Sequence, residues 1–467
     1  MKIQFCGAAR AVTGSAHLIT LENGYKILLD CGLYQGNDKE MKDFNDNWLF
    51  TPADVNCLVL SHAHIDHTGR VPKLVKDGFS GGIHSTHATR SLSSIMLLDS
   101  AKIQERDAEY YNRKQKKRGK GGELREALYS SEDVTKTMGM FQGYGYDKWF
   151  NIHPDVKVQF RDAGHILGSA SVTLQIFENG KTHWVGFTGD IGRPNRPILR
   201  DPQPMPEVDF LICESTYGDK EHESAPNESN RFLEIIKDTC LKKKGKLIIP
   251  AFSIGRTQEI VYMLDQMETA GVLPKIPVYV DSPLAVNATA IFGSHPECYD
   301  NQLHEYLLLD PNPFGFNDLQ YVRDVEISKS LNDSNEPCII ISSSGMMNAG
   351  RVRHHLANNI ANKKNTFLIV GYCAPHTPGG MLKNGIKEIK LYGEVKPVLA
   401  DIEEMDSFSA HADRAEIASV ISNQKGRAKK IFLVHGEIKR QTSFQGYLGS
   451  KGFEDVEIPE LGEEVEI

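Results

Sequence analysis

The nine residues from 61 to 69, Ser-His-Ala-His-Ile-Asp-His-Thr-Gly, constrain this chain more than any other stretch. They follow the apolar run 57–60, which predicts a buried strand that ends at its carboxyl edge. In an α/β protein, loops converge on a ligand at that edge. His62 and His64 are two residues apart, so in an extended segment both side chains point the same way and can reach one metal ion.

Asp66 and His67 come next, at the predicted start of a helix. They lie too far along the chain to join the first ion comfortably, but they can hold a second. The alternative is a solvated polar loop whose histidines are satisfied by nearby backbone groups. Because clustered histidine and aspartate after a buried strand are typical of a ligand set, we predict two metal ions side by side.

Three further residues are candidates for metal ligands or for groups that orient a ligand. Asp30 closes the strand-like run 26–29, where it either orients a metal-binding histidine or caps a turn. His165 lies in a glycine-rich turn that can bring its ring close to another backbone. Asp190 ends another strand-like run. Taken alone, His165 would be a loop histidine with ordinary hydrogen-bond partners, and Asp190 would be a helix cap. Because the first cluster is present as well, we expect both to complete the two ligand shells.

The composition excludes several classes of protein. The eight cysteines of the 467 residues are scattered, without a Cys-x-x-Cys pair, as expected for a protein of the reducing cytoplasm. No run approaches the roughly 20 apolar residues that span a bilayer, so we expect neither membrane insertion nor secretion. With a net charge of −8, the chain as a whole is no basic nucleic-acid binder, and a polyanionic substrate would need local positive charge and metal.

Apolar spacing between residues 87 and 150 predicts helices, and this region contains the basic run 114–120, Lys-Gln-Lys-Lys-Arg-Gly-Lys. The run is either a solvated loop or an arm that contacts a phosphate backbone. Both interpretations stay open at this point.

Beyond residue 214, short apolar runs alternate with helical stretches, which predicts a parallel sheet covered on both faces. Two loops, at Arg256 and at Ser344-Gly345, each follow a strand-like run and open a helix, where free backbone N–H groups favour an anion. An ordinary capped turn accounts for them equally well. Near the C-terminus, His411 and His435 both lie among small residues at predicted strand ends.

These residues resemble a known family. Asp30, the cluster from His62 to His67, His165 and Asp190 match in order the first four motifs of the metallo-β-lactamase fold. Later stretches resemble its β-CASP branch, which contains RNA-processing endonucleases and exonucleases. These stretches are Glu214, Gly255-Arg-Thr-Gln-Glu259, Asp281-Ser-Pro-Leu284, Ser344-Gly-Met-Met347 and Ser409-Ala-His411.

The resemblance implies an α/β protein in two parts. A four-layer αββα sandwich would be built from residues 1–210 and 390–467. A β-CASP domain, a parallel sheet flanked by helices, would be inserted at 211–389.

The resemblance also implies a set of site residues. One zinc ion would take His62, His64 and His165, the other would take Asp66, His67 and His411, and Asp190 would bridge them. Asp30 would support the ligands from behind. The implied catalytic residues are Asp66, Asp190, Glu214, His376 and His411, and the implied substrate contacts are Arg256, Ser344, Gly345 and Ser409.

One stretch departs from the family pattern. Some members carry a histidine in the second domain that pairs with the acidic residue matching Glu214. Here that position holds Met381, and a histidine, His376, lies five residues earlier. The residue that donates a proton to the leaving group is therefore left open.

The implied function is a zinc-dependent ribonuclease that hydrolyses phosphodiester bonds of single-stranded RNA in RNA processing or decay. Two Zn²⁺ ions would activate water and neutralise phosphate charge. Endonucleolytic and exonucleolytic action, and a homodimer, are left open. The alternatives are a DNA nuclease, a small-molecule hydrolase, which a domain inserted over the site disfavours, and a non-catalytic RNA-binding scaffold, which seven intact ligand positions disfavour.

Overall fold

The computed structural model describes residues 1–36, 41, 43–117, 124–222, 228–405 and 410–467. The chain divides into two compact units. Unit 1 comprises Met1–Glu221 and Ala410–Ile467, and unit 2 comprises His222–Ser409. Two segments that are distant in the sequence therefore build unit 1 together.

The first segment of unit 1 begins with strands and interleaves helices with them. Its strands are β1 (Lys2–Gly7), β2 (Ala16–Thr20), β3 (Lys26–Leu29), β4 (Cys57–Val59), β5 (Gly82–Thr86), β6 (Phe141–Tyr144), β7 (Trp149–His153), β8 (Val156–Asp162), β9 (Ala170–Glu178), β10 (Lys181–Phe187) and β11 (Phe210–Glu214). Its helices are α1 (Ile65–Thr68), α2 (Val71–Lys76), α3 (His87–Lys117) and α4 (Ser131–Met138).

Unit 2 alternates strands and helices. Its strands are β12 (Leu247–Pro250), β13 (Val278–Asp281), β14 (Leu319–Tyr321), β15 (Ile339–Ser342), β16 (Thr366–Ile369), β17 (Glu388–Leu391), β18 (Glu394–Pro397) and β19 (Asp401–Glu404). Its helices are α5 (Glu228–Ile236), α6 (Arg256–Thr269), α7 (Pro283–Gly293), α8 (Asn301–Tyr306), α9 (Val325–Asp333), α10 (Val352–Asn359) and α11 (Pro378–Lys383).

The second segment of unit 1 completes both of its sheets. It supplies β20 (Lys430–Val434), β21 (Val456–Glu457) and β22 (Glu464–Glu466), together with α12 (Arg414–Val420) and α13 (Ile438–Ser450). Among the described residues, one seven-stranded sheet has the order β22-β1-β2-β3-β4-β5-β6, and the other has the order β21-β20-β11-β10-β9-β8-β7.

The two sheets of unit 1 pack face to face. Their facing side chains form one buried cluster, in which the ring centroids of Phe5 and Phe432 are 5.0 Å apart. On the outer faces, Leu74 of α2 packs with the first sheet, and Phe444 of α13 packs with the second. Each amphipathic sheet is thus covered by its partner on one side and by helices on the other, which gives αββα layers.

Unit 2 contains a parallel sheet with the strand order β14-β13-β15-β12-β16-β19, counted over the residues that the structure describes. Its central strand β15 contributes Ile339, Ile340 and Ile341, all fully buried. An uninterrupted apolar strand of this kind is expected where helices cover both faces of a parallel sheet.

Two features differ from the sequence-based expectations. The units change at 221/222 and 409/410, whereas we predicted 210/211 and 389/390, because β11 pairs with β10 and β20 in unit 1 and β19 pairs with β16 in unit 2. The helical prediction for 141–150 is wrong: β6 and the start of β7 lie there, and the rings of Tyr144 and Phe150 stack with centroids 3.5 Å apart.

No helix in the described part of the chain is long and apolar enough to cross a lipid bilayer.

Candidate metal centre

The 61–69 stretch lies where β4 gives way to α1. His62 and His64 fall in the extended connection, and Asp66 and His67 fall inside α1. The Thr68 hydroxyl donates to the Ala63 and His64 carbonyls, which tightens the turn into the helix. The local fold therefore presents one pair of side chains before the helix and one pair from its first turn.

A first group of four ligand atoms gathers around His62. His62 Nε2 is 3.0 Å from His64 Nδ1, and His64 Nδ1 is 3.1 Å from His165 Nε2. Asp190 Oδ2 lies 3.4 Å from His62 Nε2 and 3.5 Å from His165 Nε2. These four side chains come from three separate parts of unit 1, and their ligand atoms all lie within 4.8 Å of one another.

A second group forms beside it from Asp66, His67 and His435. His67 Nε2 is 3.1 Å from His435 Nε2, and His435 Nε2 is 3.4 Å from Asp66 Oδ2. Asp190 Oδ2 also lies 3.3 Å from His67 Nε2. One carboxylate oxygen of Asp190 thus faces both groups, as a bridging ligand would.

This grouping differs from the ligand set that the resemblance implied, because His435, and not His411, lies with Asp66 and His67. His435 follows β20 with a left-handed backbone (φ 54°), and its N–H donates to Ala8 O. The Thr216 hydroxyl lies 3.0 Å from His435 Nδ1, which leaves Nε2 facing the second group. The strand pairing of β20 with β11 thus places this ring in the centre.

Asp30 lies behind the second group. Its carboxylate accepts hydrogen bonds from the Ser61 N–H (2.8 Å) and the Ser61 hydroxyl (2.8 Å). Asp30 Oδ2 is also 2.7 Å from His67 Nδ1. A carboxylate at Nδ1 fixes the ring orientation and leaves Nε2 free to bind a metal, the usual support of a metal-binding histidine.

The ionisation of the ligands suits a cation. Burial lowers the pKa of His62 to about 3 and that of His64 to about 4, so both rings are neutral at pH 7 and keep a lone pair. Burial alone would raise the pKa of Asp66 and Asp190, but neighbouring histidines, chiefly His67 for Asp66 and His435 for Asp190, hold both pKa values below the usual range.

The pKa of His67 reflects the excess of negative charge around its ring. Burial alone would lower the pKa of its ring, but the carboxylates of Asp190, Asp30 and Asp66 raise that pKa well above the usual range. The field that favours a proton on His67 is the field that would favour a metal cation between these carboxylates.

The distances also fit metal ions. A tetrahedral shell with bonds of about 2.0–2.1 Å separates its ligand atoms by about 3.4 Å. The separations quoted for the first group run from 3.0 to 3.5 Å. Asp190 Oδ1 is buried without a hydrogen-bond partner among the described residues, although buried carboxylate oxygens normally have one. The residues present therefore fit a pair of metal ions.

A third cluster joins Asp190 to Glu214 and His411. His411 Nδ1 is 3.3 Å from Glu214 Oε2 and 3.9 Å from Asp190 Oδ2, and its ring centroid is 4.5 Å from that of His165. Burial alone would lower the pKa of His411, but the Glu214 and Asp190 carboxylates raise it to about 9. His411 thus has a raised pKa and lies beside the two candidate ligand groups.

The sequence left the histidine partner of Glu214 open between the Met381 position and His376. Within unit 1, the histidine beside Glu214 is His411. His376 is exposed in the loop before α11 of unit 2, and Met381 lies in α11.

Three of the four predicted substrate contacts follow strands at the carboxyl edge of the unit 2 sheet. The Arg256 guanidinium, at the start of α6, is buried and pairs with the Glu259 carboxylate. The Ser344 hydroxyl donates to Asn348 Oδ1 (2.8 Å), and a Cβ added to Gly345 would lie 3.3 Å from the Phe252 ring. Ser409, the fourth predicted contact, lies outside the described residues.

Comparison with known proteins shows what the chain is related to. Family models match residues 9–217 (Metallo-beta-lactamase superfamily), 257–382 (Beta-Casp domain) and 395–459 (Zn-dependent metallo-hydrolase RNA specificity domain). A relative from Thermus thermophilus, Ribonuclease TTHA0252, is 32% identical over 468 residues, which cover 100% of both chains. The chain belongs to the β-CASP family of the metallo-β-lactamase superfamily.

Other relatives match most of this chain, and a solved structure shares its fold. Transcription termination factor FttA of Methanosarcina mazei is 31% identical over 94% of this chain and 67% of its own length. FttA of Methanocaldococcus jannaschii is 30% identical over 95% of this chain and 68% of its own. A crystal structure of a protein of unknown function from Enterococcus faecalis V583 shares the fold, with a TM-score of 0.52 and 12% identity over 99% of each chain. The predicted family and α/β fold class are confirmed.

Proposed function

We propose that this β-CASP protein is a ribonuclease that hydrolyses phosphodiester bonds of single-stranded RNA with two zinc ions. The observation that carries the proposal is the pair of ligand groups that share Asp190 Oδ2. The ribonuclease name of a relative that matches over the whole chain supports the reaction, and the family model named for RNA specificity supports the substrate.

The residues that would hold the ions follow from the two groups. His62, His64 and His165 would hold one ion, Asp66, His67 and His435 would hold the other, and Asp190 would bridge them. Imidazole and carboxylate ligands without a thiolate are typical of catalytic rather than structural zinc. When bound, such a pair supplies water activation at neutral pH and neutralises charge on phosphate oxygens.

The chain's own side chains would handle the protons. Hydrolysis joins the oxygen of water to phosphorus and breaks the bond from phosphorus to the leaving 3′ oxygen, which then needs a proton. His411, held beside Glu214 and protonated at neutral pH, is the donor we assign. The carboxylates of Asp66 and Asp190 lie where the two groups meet, so we assign them the orientation of the attacking water.

The test is cleavage of a single-stranded RNA labelled at one end, by the zinc-loaded protein. We expect the wild type to cut the RNA, and we expect His64→Ala to leave no more cleavage than a chelated sample, because the variant lacks a ligand of the first group. His304→Ala, an exposed histidine on α8, is the matched control and should cut normally. Undiminished cleavage by His64→Ala would overturn the proposal.

The pattern of products assigns the mode of cleavage. A ladder of fragments indicates endonucleolytic action, and release of mononucleotides indicates exonucleolytic action. A matched DNA oligonucleotide that is cut faster than the RNA would replace the proposed substrate by DNA. RNA binding without any cleavage by the metal-loaded protein would favour a scaffold. The homodimer and the cytoplasmic location stay predictions.

A further inference from the structure

The helix α3 extends well beyond the body it packs on. It has 31 residues, and its buried side chains end at Ala108. Its first turn is tied to the turn that carries His165, because the hydroxyls of Thr86 and Thr89 both donate to Gly168 O, at 2.7 and 2.8 Å. At 1.5 Å per residue, the last turns of α3 lie about 40 Å along the helix axis from that turn.

The exposed end of α3 is basic and aromatic. We call residues 110–117 the basic arm. Arg113, Lys114, Lys116 and Lys117 fall within five residues that contain no acid, and all four are exposed. Tyr110 is 58% exposed, and its ring centroid lies 5.9 Å from both Arg113 Cζ and Lys114 Nζ.

The basic arm is held in place by the chain that returns beside it. Asn112 Nδ2 donates to Arg125 O (2.9 Å), and the Arg125 N–H donates to Asn112 Oδ1 (2.8 Å). About two helical turns earlier in α3, Gln104 Oε1 accepts from the Leu128 N–H (3.1 Å). These hydrogen bonds hold the helix in place up to Asn112, and the four cations follow after the last of them.

The positive charges of the basic arm are not neutralised by ion pairs within the described part of the chain. None of the four cations forms an ion pair with a residue that the structure describes, although exposed Asp107 and Glu109 lie on the preceding turn. The whole chain carries a net charge of −8, so the basic arm is a local exception on an acidic protein. Closely spaced, unpaired cations with an exposed aromatic ring suit a single-stranded nucleic acid, whose phosphates pair with cations and whose bases stack.

We propose that the basic arm binds the phosphate backbone of the RNA substrate at a distance from the metal centre. The inference rests on the proposed function, since it supplies a second contact for the same RNA. Because the basic arm lies about 40 Å along the α3 axis from the turn that carries His165, an RNA must span both to benefit. The basic arm would therefore favour long RNA over short RNA. Arg118, Gly119 and Lys120, the rest of the basic run, lie outside the described residues.

The experiment compares two variants that change the net charge equally. The arm variant is Arg113→Glu/Lys114→Glu/Lys116→Glu/Lys117→Glu. The control variant is Lys148→Glu/Lys157→Glu/Lys181→Glu/Lys439→Glu, four exposed lysines of unit 1 that form no ion pair with a described residue. Steady-state cleavage by the metal-loaded proteins is measured on a long and on a short RNA over a series of salt concentrations.

For long RNA, we expect KM of the arm variant to rise about tenfold with little change in kcat, and we expect KM and kcat for short RNA to match the control. With about 0.7 counterions released per phosphate contact on a single strand, the salt slope of log kcat/KM should become shallower by up to about 3. Equal kinetics of the two variants on long RNA would overturn the proposal. So would an equal loss on short and long RNA.

A role limited to the helix itself is distinguishable. Cations in a last helical turn stabilise the helix by interacting with its dipole. If that is their only role, the arm variant melts at a lower temperature while its kinetics on long RNA equal those of the control, and the proposal is overturned. A second test needs no substitution. We expect long RNA, but not short RNA, to protect Lys114, Lys116 and Lys117 of the wild type from chemical acetylation.

Failure of the proposed function is recognised separately. If the metal-loaded wild type does not cleave RNA, the proposed function fails, and Kd for the long RNA is then measured directly with the same proteins. A Kd raised in the arm variant alone still supports the basic arm. Equal Kd values, or a wild type that does not bind RNA, overturn it.

Discussion

Asp190 is the residue that both candidate ligand groups share. Its Oδ2 atom lies within 3.3–3.5 Å of His62, His67 and His165. It follows β10 directly after Gly189, whose left-handed backbone (φ 54°) turns the chain towards the ligands. A Cβ at Gly189 would lie 2.6 Å from Ser61 Cβ, so the two ligand-bearing loops pack too closely there for any side chain.

His435 and His411 should respond differently to substitution. We expect His435→Ala to lower the zinc bound per chain, because the second group then retains only Asp66, His67 and the shared Asp190. We expect His411→Ala to keep the zinc and to lower kcat by about 10²–10⁴-fold, the range for loss of a general acid. Metal content after dialysis and kcat at saturating RNA are measured on the same preparations.

Glu214→Gln is the companion variant to His411→Ala. It removes the negative charge beside the His411 ring and keeps a side chain of nearly the same size. We expect it to lower kcat and leave the zinc content intact. The reverse result, with zinc lost from His411→Ala and retained by His435→Ala, would restore the ligand set that the resemblance implied.

The sequence identifies residues that lie together in the chain better than residues that the fold brings together. His62, His64, Asp66 and His67 are recognisable because a metal centre is the usual reason for three histidines and an aspartate to follow a buried strand so closely. His411 and His435 have similar surroundings in the sequence, and which ring enters the second group depends on the backbone of His435 and on its contact with Thr216. A hydroxyl-bearing residue two positions after Glu214 was the only local signal for that contact, and it is a weak one.

The turn between β8 and β9 places His165 through short-range hydrogen bonds. Asp162 Oδ1 accepts from the Gly164 N–H (2.9 Å), and Ser169 Oγ accepts from the His165 N–H (2.9 Å). A Cβ at Gly168 would lie 2.5 Å from the Thr89 backbone nitrogen, so the turn also packs closely on the start of α3. The ligand is therefore positioned by the turn as a unit.

This turn should make the stability of the protein depend on pH through Asp162. Burial raises the pKa of that carboxyl to about 7 from an ordinary value of 3.8. The stability linked to the neutral carboxyl is complete below about 3.8 and is lost as pH rises to about 7, because the unfolded chain ionises first. Asp162→Asn keeps the acceptor and cannot ionise, so its stability advantage over the wild type should grow by about 2–3 kcal/mol from pH 5 to pH 8.

Thermal melting at the two pH values measures this effect. Asp318→Asn, an exposed aspartate in unit 2, is the control and should show no pH-dependent difference from the wild type. A difference between Asp162→Asn and the wild type that is the same at pH 5 and pH 8 would show that the carboxyl is ionised in the folded protein at both.

The elements of unit 2 were the most predictable from the sequence. The short apolar runs predicted beyond residue 214 are strands in the structure, among them β12 and β13, because strands buried on both faces are uninterrupted apolar stretches. Helical spacing of the apolar residues predicted a helix over 141–150. β6 and β7 form there through pairing with β5 and β8, which only the assembled sheets provide.

On the scale of the whole molecule, the metal centre requires both segments of unit 1. The first segment carries His62, His64, Asp66, His67, His165, Asp190 and Glu214, and the second returns through β20 to bring His435 beside them. The αββα class followed from the resemblance, but the exact points where the chain leaves and re-enters unit 1 did not. They depend on which sheet receives β11 and β19, and local sequence does not encode that choice.

We propose that one shared carboxylate, that of Asp190, organises two metal ions, and that both ions are needed for RNA cleavage. The proposal is tested by stripping the protein of metal, returning Zn²⁺ in steps, and measuring bound zinc and cleavage of end-labelled RNA on the same samples. We predict that cleavage appears only as the second equivalent binds, because the groups around His62 and His67 share Asp190. Full turnover with one zinc or less per chain would contradict the account.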